Sequence, residues 1–137
     1  MRRGFTMIEL IFVIVIIGIL AAIAIPKLSA TRDDAKVVAA VDSGKQVIHN
    51  LASEYTAKGS LPAASITEAN DAAPCFRFTF NSGTTELSTV QNLANANCGI
   101  TNTTAQNRFK DLAYKNGLLG KNGAIKKIKL GGNQVKF

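Results

Sequence analysis

The sequence predicts an α+β chain: one long N-terminal helix whose first half is of membrane grade and whose second half packs against a small antiparallel β-sheet. Three observations carry this. Residues 10–25 form sixteen consecutive positions without a polar side chain. Val37, Val41, Gly44, Ile48, Leu51 and Tyr55 then recur at steps of four and three, which trace one face of an α-helix. Further on, Cys75-Phe76-Arg77-Phe78-Thr79-Phe80 alternates strictly and sets three phenylalanines on one side of a strand.

The elements follow in order. Residues 5–25 make a block interrupted only by Thr6 and Glu9, long enough as a helix to cross about 30 Å of hydrocarbon. Arg2 and Arg3 precede it, so the positive-inside rule keeps the N-terminus cytoplasmic and sends everything downstream across the membrane in a single pass. Gly18 weakens the helix by about 1 kcal/mol relative to alanine. Pro26 lacks a backbone donor and is expected to bend it. Residues 5–26 are thus the transmembrane half. Residues 27–58 continue as an amphipathic half, with Arg32, Asp33, Lys36, Asp42, Lys45 and Glu54 opposite the apolar face. Lys58-Gly59-Ser60 followed by Pro62 ends the helix near residue 57, giving a rod about 80 Å long.

Residues 59–137 read as a small β-rich head. Residues 59–74, rich in Ala, Ser, Pro and Thr, are expected to be loop. The phenylalanine strand turns at Asn81-Ser82-Gly83, and a second strand is expected within residues 84–93. Residues 92–107, dominated by Asn, Thr and Ala, read as loop, and residues 109–114 as one helical turn before Asn116-Gly117. Residues 124–130, Gly131-Gly132 and residues 133–137 suggest a closing hairpin. Neither the helix stripe nor the Phe face buries itself alone, so the sheet is expected on the outer half of the helix.

Cys75 and Cys98 both lie beyond the membrane segment. In an oxidising compartment they are expected to pair, closing a loop worth about 3 kcal/mol in the loop-entropy model. The chain of 137 residues carries a net charge of +7, and the excess sits in residues 108–137, which hold eight Lys or Arg against Asp111 alone. That charge reads either as a solvated edge that keeps strands soluble or as an anion-binding surface built on Lys126, Lys127, Lys129 and Lys136. No catalytic set is visible: His49 is the single histidine, Ser82-Gly83 is a turn, and no paired carboxylates, phosphate loop or metal-ligand spacing appears. No cofactor and no metal is expected.

Glu9 is the most informative residue. A carboxylate inside an apolar span costs at least ~2.5 kcal/mol on insertion scales. A cut after Gly4 would leave Glu9 in the first turns of the helix, where the dipole favours it. The cut would also create a cationic α-amine on Phe5. In a bundle, the amine of one chain neutralises Glu9 of the next and turns a cost for the lone chain into a drive for assembly.

Arg3-Gly4-Phe5-Thr6-x-x-Glu9, with the apolar run ending Ala24-Ile25-Pro26, resembles the N-terminus of type IV pilins and pseudopilins over about residues 1–40. The resemblance implies a pilin-like fold and a leader of residues 1–4 removed between Gly4 and Phe5 by a prepilin peptidase that also N-methylates Phe5. It implies that Glu9 pairs with the Phe5 amine of a neighbour in a helical filament, and that the helix loosens between Gly18 and Pro26. Expected partners are other pilin-like subunits, the peptidase and an inner-membrane assembly platform. The expected location is the bacterial inner membrane with a periplasmic head, then a periplasmic or extracellular filament. The chain departs from two branches of the family. Only Asp111 stands where major pseudopilins carry a C-terminal calcium site, and Cys98 is followed by 39 residues rather than lying near the end. Competence pilins share the architecture and bind DNA, which the basic hairpin would fit. The rival readings are a monomeric signal-anchored binding domain, cleavage at the Ala22-Ile23-Ala24 triplet and a twin-arginine signal at Arg2-Arg3.

Overall fold

The computed structural model describes residues 4–131, without the side chains of residues 26, 29 and 30. The first helix, α1, spans Met7–Lys58, and its helical backbone continues through Gly18 and Pro26. The chain divides between Asp33 and Asp34 into two compact units. In the first unit, Met7–Ile25 is 19 residues long and apolar enough to cross a membrane, and none of it is buried within the chain.

The second unit is an α+β head. Its first element is the outer part of α1, where Val37, Val41, Gly44, Ile48 and Leu51 are buried and Tyr55 is half-buried, as the heptad-like spacing predicts. Gly44 has a specific role. A Cβ on it would lie 2.4 Å from Cε2 of Phe76, so the bare backbone is what lets the strand bring that ring onto the helix.

Residues 59–74 are not a continuous loop. They fold into a second helix, α2, at Ala63–Ala72. Its composition hides it: a single residue, Ala69, is buried among the ten, so no apolar stripe marks the sequence. Ser65 donates to Oε1 of Glu54 at 2.9 Å, which ties α2 to α1.

The sheet is an antiparallel meander of β1 (Phe76–Asn81), β2 (Glu86–Gln91) and β3 (Lys126–Lys129), in that spatial order. The register pairs Phe76 with Gln91 and Asn81 with Glu86, then Glu86 with Lys129 and Thr89 with Lys126. Phe76 and Phe78 are buried and Phe80 half-buried, so the alternation places the ring face inward. β1 is an edge strand among the described residues, and α2 covers it. The Asn70 carboxamide accepts from Phe78 N–H at 2.7 Å and donates to Phe78 C=O at 3.3 Å. It satisfies the edge as a neighbouring strand would. β3 bears out the first half of the expected closing hairpin; the second half, residues 133–137, lies outside the described residues.

The end of the segment read as loop, together with the single turn expected after it, is a three-turn helix, α3, at Thr103–Lys115. Asn102 caps it by accepting from Thr104 N–H at 2.8 Å. Its buried side is Ala105, Phe109 and Ala113, one residue every four, and two of those are alanines that carry little hydropathy signal. At its end Gly117 takes a left-handed φ of 72°. Leu118 N–H donates to Ala113 C=O and Gly117 N–H to Tyr114 C=O, both at 2.9 Å. This pair of bonds is a Schellman motif. Arg108 forms an ion pair with Asp34, joining α3 to α1. Cys75 and Cys98 form a disulfide with Cα atoms 4.7 Å apart, pinning the start of β1 to a 3-10 turn at Ala96–Cys98. Phe76 lies at the centre of the core, its ring centroid 5.1 Å from Phe109 and 6.0 Å from Phe78.

Candidate processing and assembly site

Gly4, Phe5 and Thr6 precede α1 in non-helical backbone. Thr6 C=O accepts the first helical bond, from Leu10 N–H at 3.2 Å. Four N–H groups at a helix start have no partner within the helix, and in a membrane water does not supply one. Thr6 and Glu9 supply partners for each other. Thr6 N–H donates to Glu9 Oε2 at 3.0 Å, and Thr6 Oγ1 donates to the same oxygen at 2.9 Å. Glu9 N–H points back at Thr6 Oγ1 at 3.4 Å. This reciprocal arrangement is a capping box. Glu9 is therefore not a bare charge, because its own chain gives one of its oxygens two donors. Thr6 is missed when Glu9 is read as a lone charge, although Thr-x-x-Glu ahead of an apolar run is itself the sequence sign of such a box.

The other oxygen of Glu9, Oε1, makes no hydrogen bond among the described residues. The side chains around it are exposed and apolar, with Phe5, Met7 and Ile8 each more than three-quarters accessible. A Cβ placed on Gly4 or Gly18 would meet nothing within 4 Å. Neither glycine is thus required by packing inside the single chain. Pro26 lies within the helical stretch of α1.

Of the basic residues singled out in the C-terminal region, the three described ones, Lys126, Lys127 and Lys129, do not all share one face of the strand. On β3, Lys127 and Lys129 are exposed, whereas half-buried Lys126 alternates to the side of buried Ile128. Lys127 pairs with Glu86 at 3.5 Å. Lys136 lies outside the described residues.

Residues 1–25 match the prokaryotic N-terminal methylation motif. Neither a curated protein nor a solved structure matches the chain. The motif is the signature of type IV pilins and pseudopilins, and it occupies the segment that holds Gly4, Phe5 and the capping box. The chain thus carries that N-terminal signature together with a pilin-like α+β fold.

Proposed function

We propose that this chain is a structural subunit of a type IV pilus-like or type II secretion pseudopilus filament. A prepilin peptidase cleaves between Gly4 and Phe5 and N-methylates Phe5. The leader is residues 1–4, residues 5–26 are the membrane and assembly half of the helix, residues 27–58 its outer half, and residues 59–137 the head. The precursor spans the bacterial inner membrane once, with its head in the periplasm, and an assembly platform there feeds it into the filament with other pilin-like subunits.

The single observation that carries this reading is the half-satisfied carboxylate at the start of an otherwise apolar, wholly unburied segment. Cleavage after Gly4 creates an ammonium group on Phe5. In a staggered bundle that group from one chain meets the free oxygen of Glu9 in the next. The capping box lowers the cost of holding Glu9 ready in the lone chain, and the neighbour's amine supplies the remaining partner. Gly18 and Pro26 leave the helix between them easy to loosen as subunits pack.

The test compares Glu9→Leu with the parent in membrane fractions and in sheared or crosslinked filament fractions. The expected result is a processed, membrane-inserted chain that fails to enter filaments. Parental incorporation of Glu9→Leu would overturn the pairing. A bulky residue at the cleavage point, Gly4→Leu, is expected to leave the precursor uncut.

A further inference from the structure

Outside the N-terminal segment, a concavity rich in unused polar groups lies between α3 and the 3-10 turn Lys121–Gly123. It is a cleft of about 430 Å³ lined by Asn107, Lys110, Asp111, Tyr114, Lys121 and Asn122. The first four stand at helical spacing and share one face of α3. The last two come from the turn opposite.

Both walls are fixed without a ligand. α3 is anchored by buried Ala105, Phe109 and Ala113, capped by Asn102 and closed by its Schellman motif. The turn is held by Gly120 N–H donating to Ala124 C=O at 2.9 Å and by Gly123 N–H donating to Gly120 C=O at 3.1 Å. Gly123 is buried against Gln91, where a Cβ would come within 2.6 Å of Oε1, so the turn sits tight on the sheet. Between these anchors Asn122 is held in the left-handed region at φ 59°. A preformed cleft with convergent polar groups is the usual form of a small-ligand site.

The lining is rich in groups with no internal partner. Among the described residues the side chains of Asn107, Lys110, Lys121 and Asn122 form no hydrogen bond or ion pair, and the Tyr114 hydroxyl forms none. Asp111 pairs with Lys115 at 2.9 Å. Tyr114 is 48% exposed, an aromatic ring that shares the cleft with Lys110 and Lys121. The inventory is mixed: two carboxamides that donate and accept, one carboxylate that only accepts, two cations and one ring. A nucleic-acid strand asks for a run of cations along successive phosphates, and this cleft holds only two, Lys110 and Lys121, among its lining. Vicinal hydroxyls ask for neighbouring donors and acceptors, which the asparagines and Asp111 offer.

We propose that this cleft binds an acidic saccharide. The sugar ring lies on Tyr114, its hydroxyls bond Asn107, Asp111 and Asn122, and its carboxylate or sulfate sits between Lys110 and Lys121. The proposal rests on the head alone and stands or falls separately from the filament reading.

The test is calorimetric titration of the full chain in micelles of a detergent without a sugar headgroup. The probes are trigalacturonate, trimannuronate and a heparin tetrasaccharide, with neutral maltotriose and a short oligothymidylate for comparison. Saturable binding of at least one acidic saccharide, tighter than either comparison probe, is expected. Tyr114→Ala should weaken it about tenfold. Lys110→Gln and Lys121→Gln should weaken it and flatten its salt dependence. Lys129→Gln on β3 should leave it unchanged. All these side chains lie on the surface or at its margin, so the melting temperature serves as a check that the variants fold. Three results would each overturn the proposal: no acidic saccharide binding beyond maltotriose, binding indifferent to Tyr114→Ala, or oligothymidylate binding more tightly than every saccharide.

Discussion

The same helix treats its apolar residues in opposite ways on the two sides of Asp33. Before it, Phe12 is 66% exposed and Ile25 69%; after it, Val37 is 3% exposed and Val41 2%. The head completes its own core, with α1, the sheet and α3 meeting around Phe76. The N-terminal segment has no core of its own to complete. What separates the two is pattern rather than hydropathy alone. An apolar stripe asks for one partner surface, whereas a helix apolar all round asks for an apolar environment on every side. A lipid bilayer can supply that, and so can packed apolar helices of other chains.

Paired truncations should separate the two regions by the widest margin. Phe109→Ala removes a ring that is fully buried against Phe76 and is expected to destabilise the head by about 3–5 kcal/mol. Phe12→Ala, in the other region, is expected to leave the melting of the head unchanged. Thermal denaturation followed by circular dichroism checks both, and equal effects would erase the distinction.

Replacing Cys75 and Cys98 together by serine comes next. The bridge spans a sequence separation of 23, and its loss is expected to cost about 3 kcal/mol through the loop entropy of the unfolded chain. Denaturant unfolding of oxidised parent and double variant measures it. A smaller effect belongs to Asn70→Ala, which strips the edge of β1 of both carboxamide bonds. Roughly 1–3 kcal/mol is expected, with faster amide exchange at Phe78 as the local signature.

The smallest effect concerns pH. Lys58 and then Ser65, both bonded to its carboxylate, hold the Glu54 carboxyl below its ordinary value. A group whose native pKa is depressed adds stability above its unfolded pKa, and that stability is lost as pH falls through the native value. The stability of the head is therefore expected to fall on acidification below about pH 4.5, and Glu54→Gln to flatten that part of the profile slightly. An unchanged profile in Glu54→Gln would show that the contact between α1 and α2 is electrostatically neutral.

The two regions were also unequally legible. The membrane-grade run, the buried face of α1 and the phenylalanine strand follow from periodicity, because each repeats a strong apolar signal at a fixed step. The disulfide follows from there being two cysteines beyond a membrane segment. α2 and most of α3 do not show in the same way. They bury alanines, and Asn70, Asn102 and Asn116 work there as an edge cover, an N-cap and a C-cap, while by composition asparagine reads as loop. At the N-terminus, Glu9 stands out as a charge in the wrong medium, whereas its partner Thr6 shows only when the four residues are read as a cap. The Tyr114 cleft was not legible at all, since its two walls meet only after α3 and the following turn have folded.

Whether the unburied N-terminal segment is a processed assembly element is read from the mass of the N-terminal peptide of the protein extracted from its native membrane. A chain beginning at Phe5 with one added methyl group is the predicted result. A chain that still begins at Met1, or one that begins at Ile25 after the Ala22-Ile23-Ala24 triplet, would contradict it.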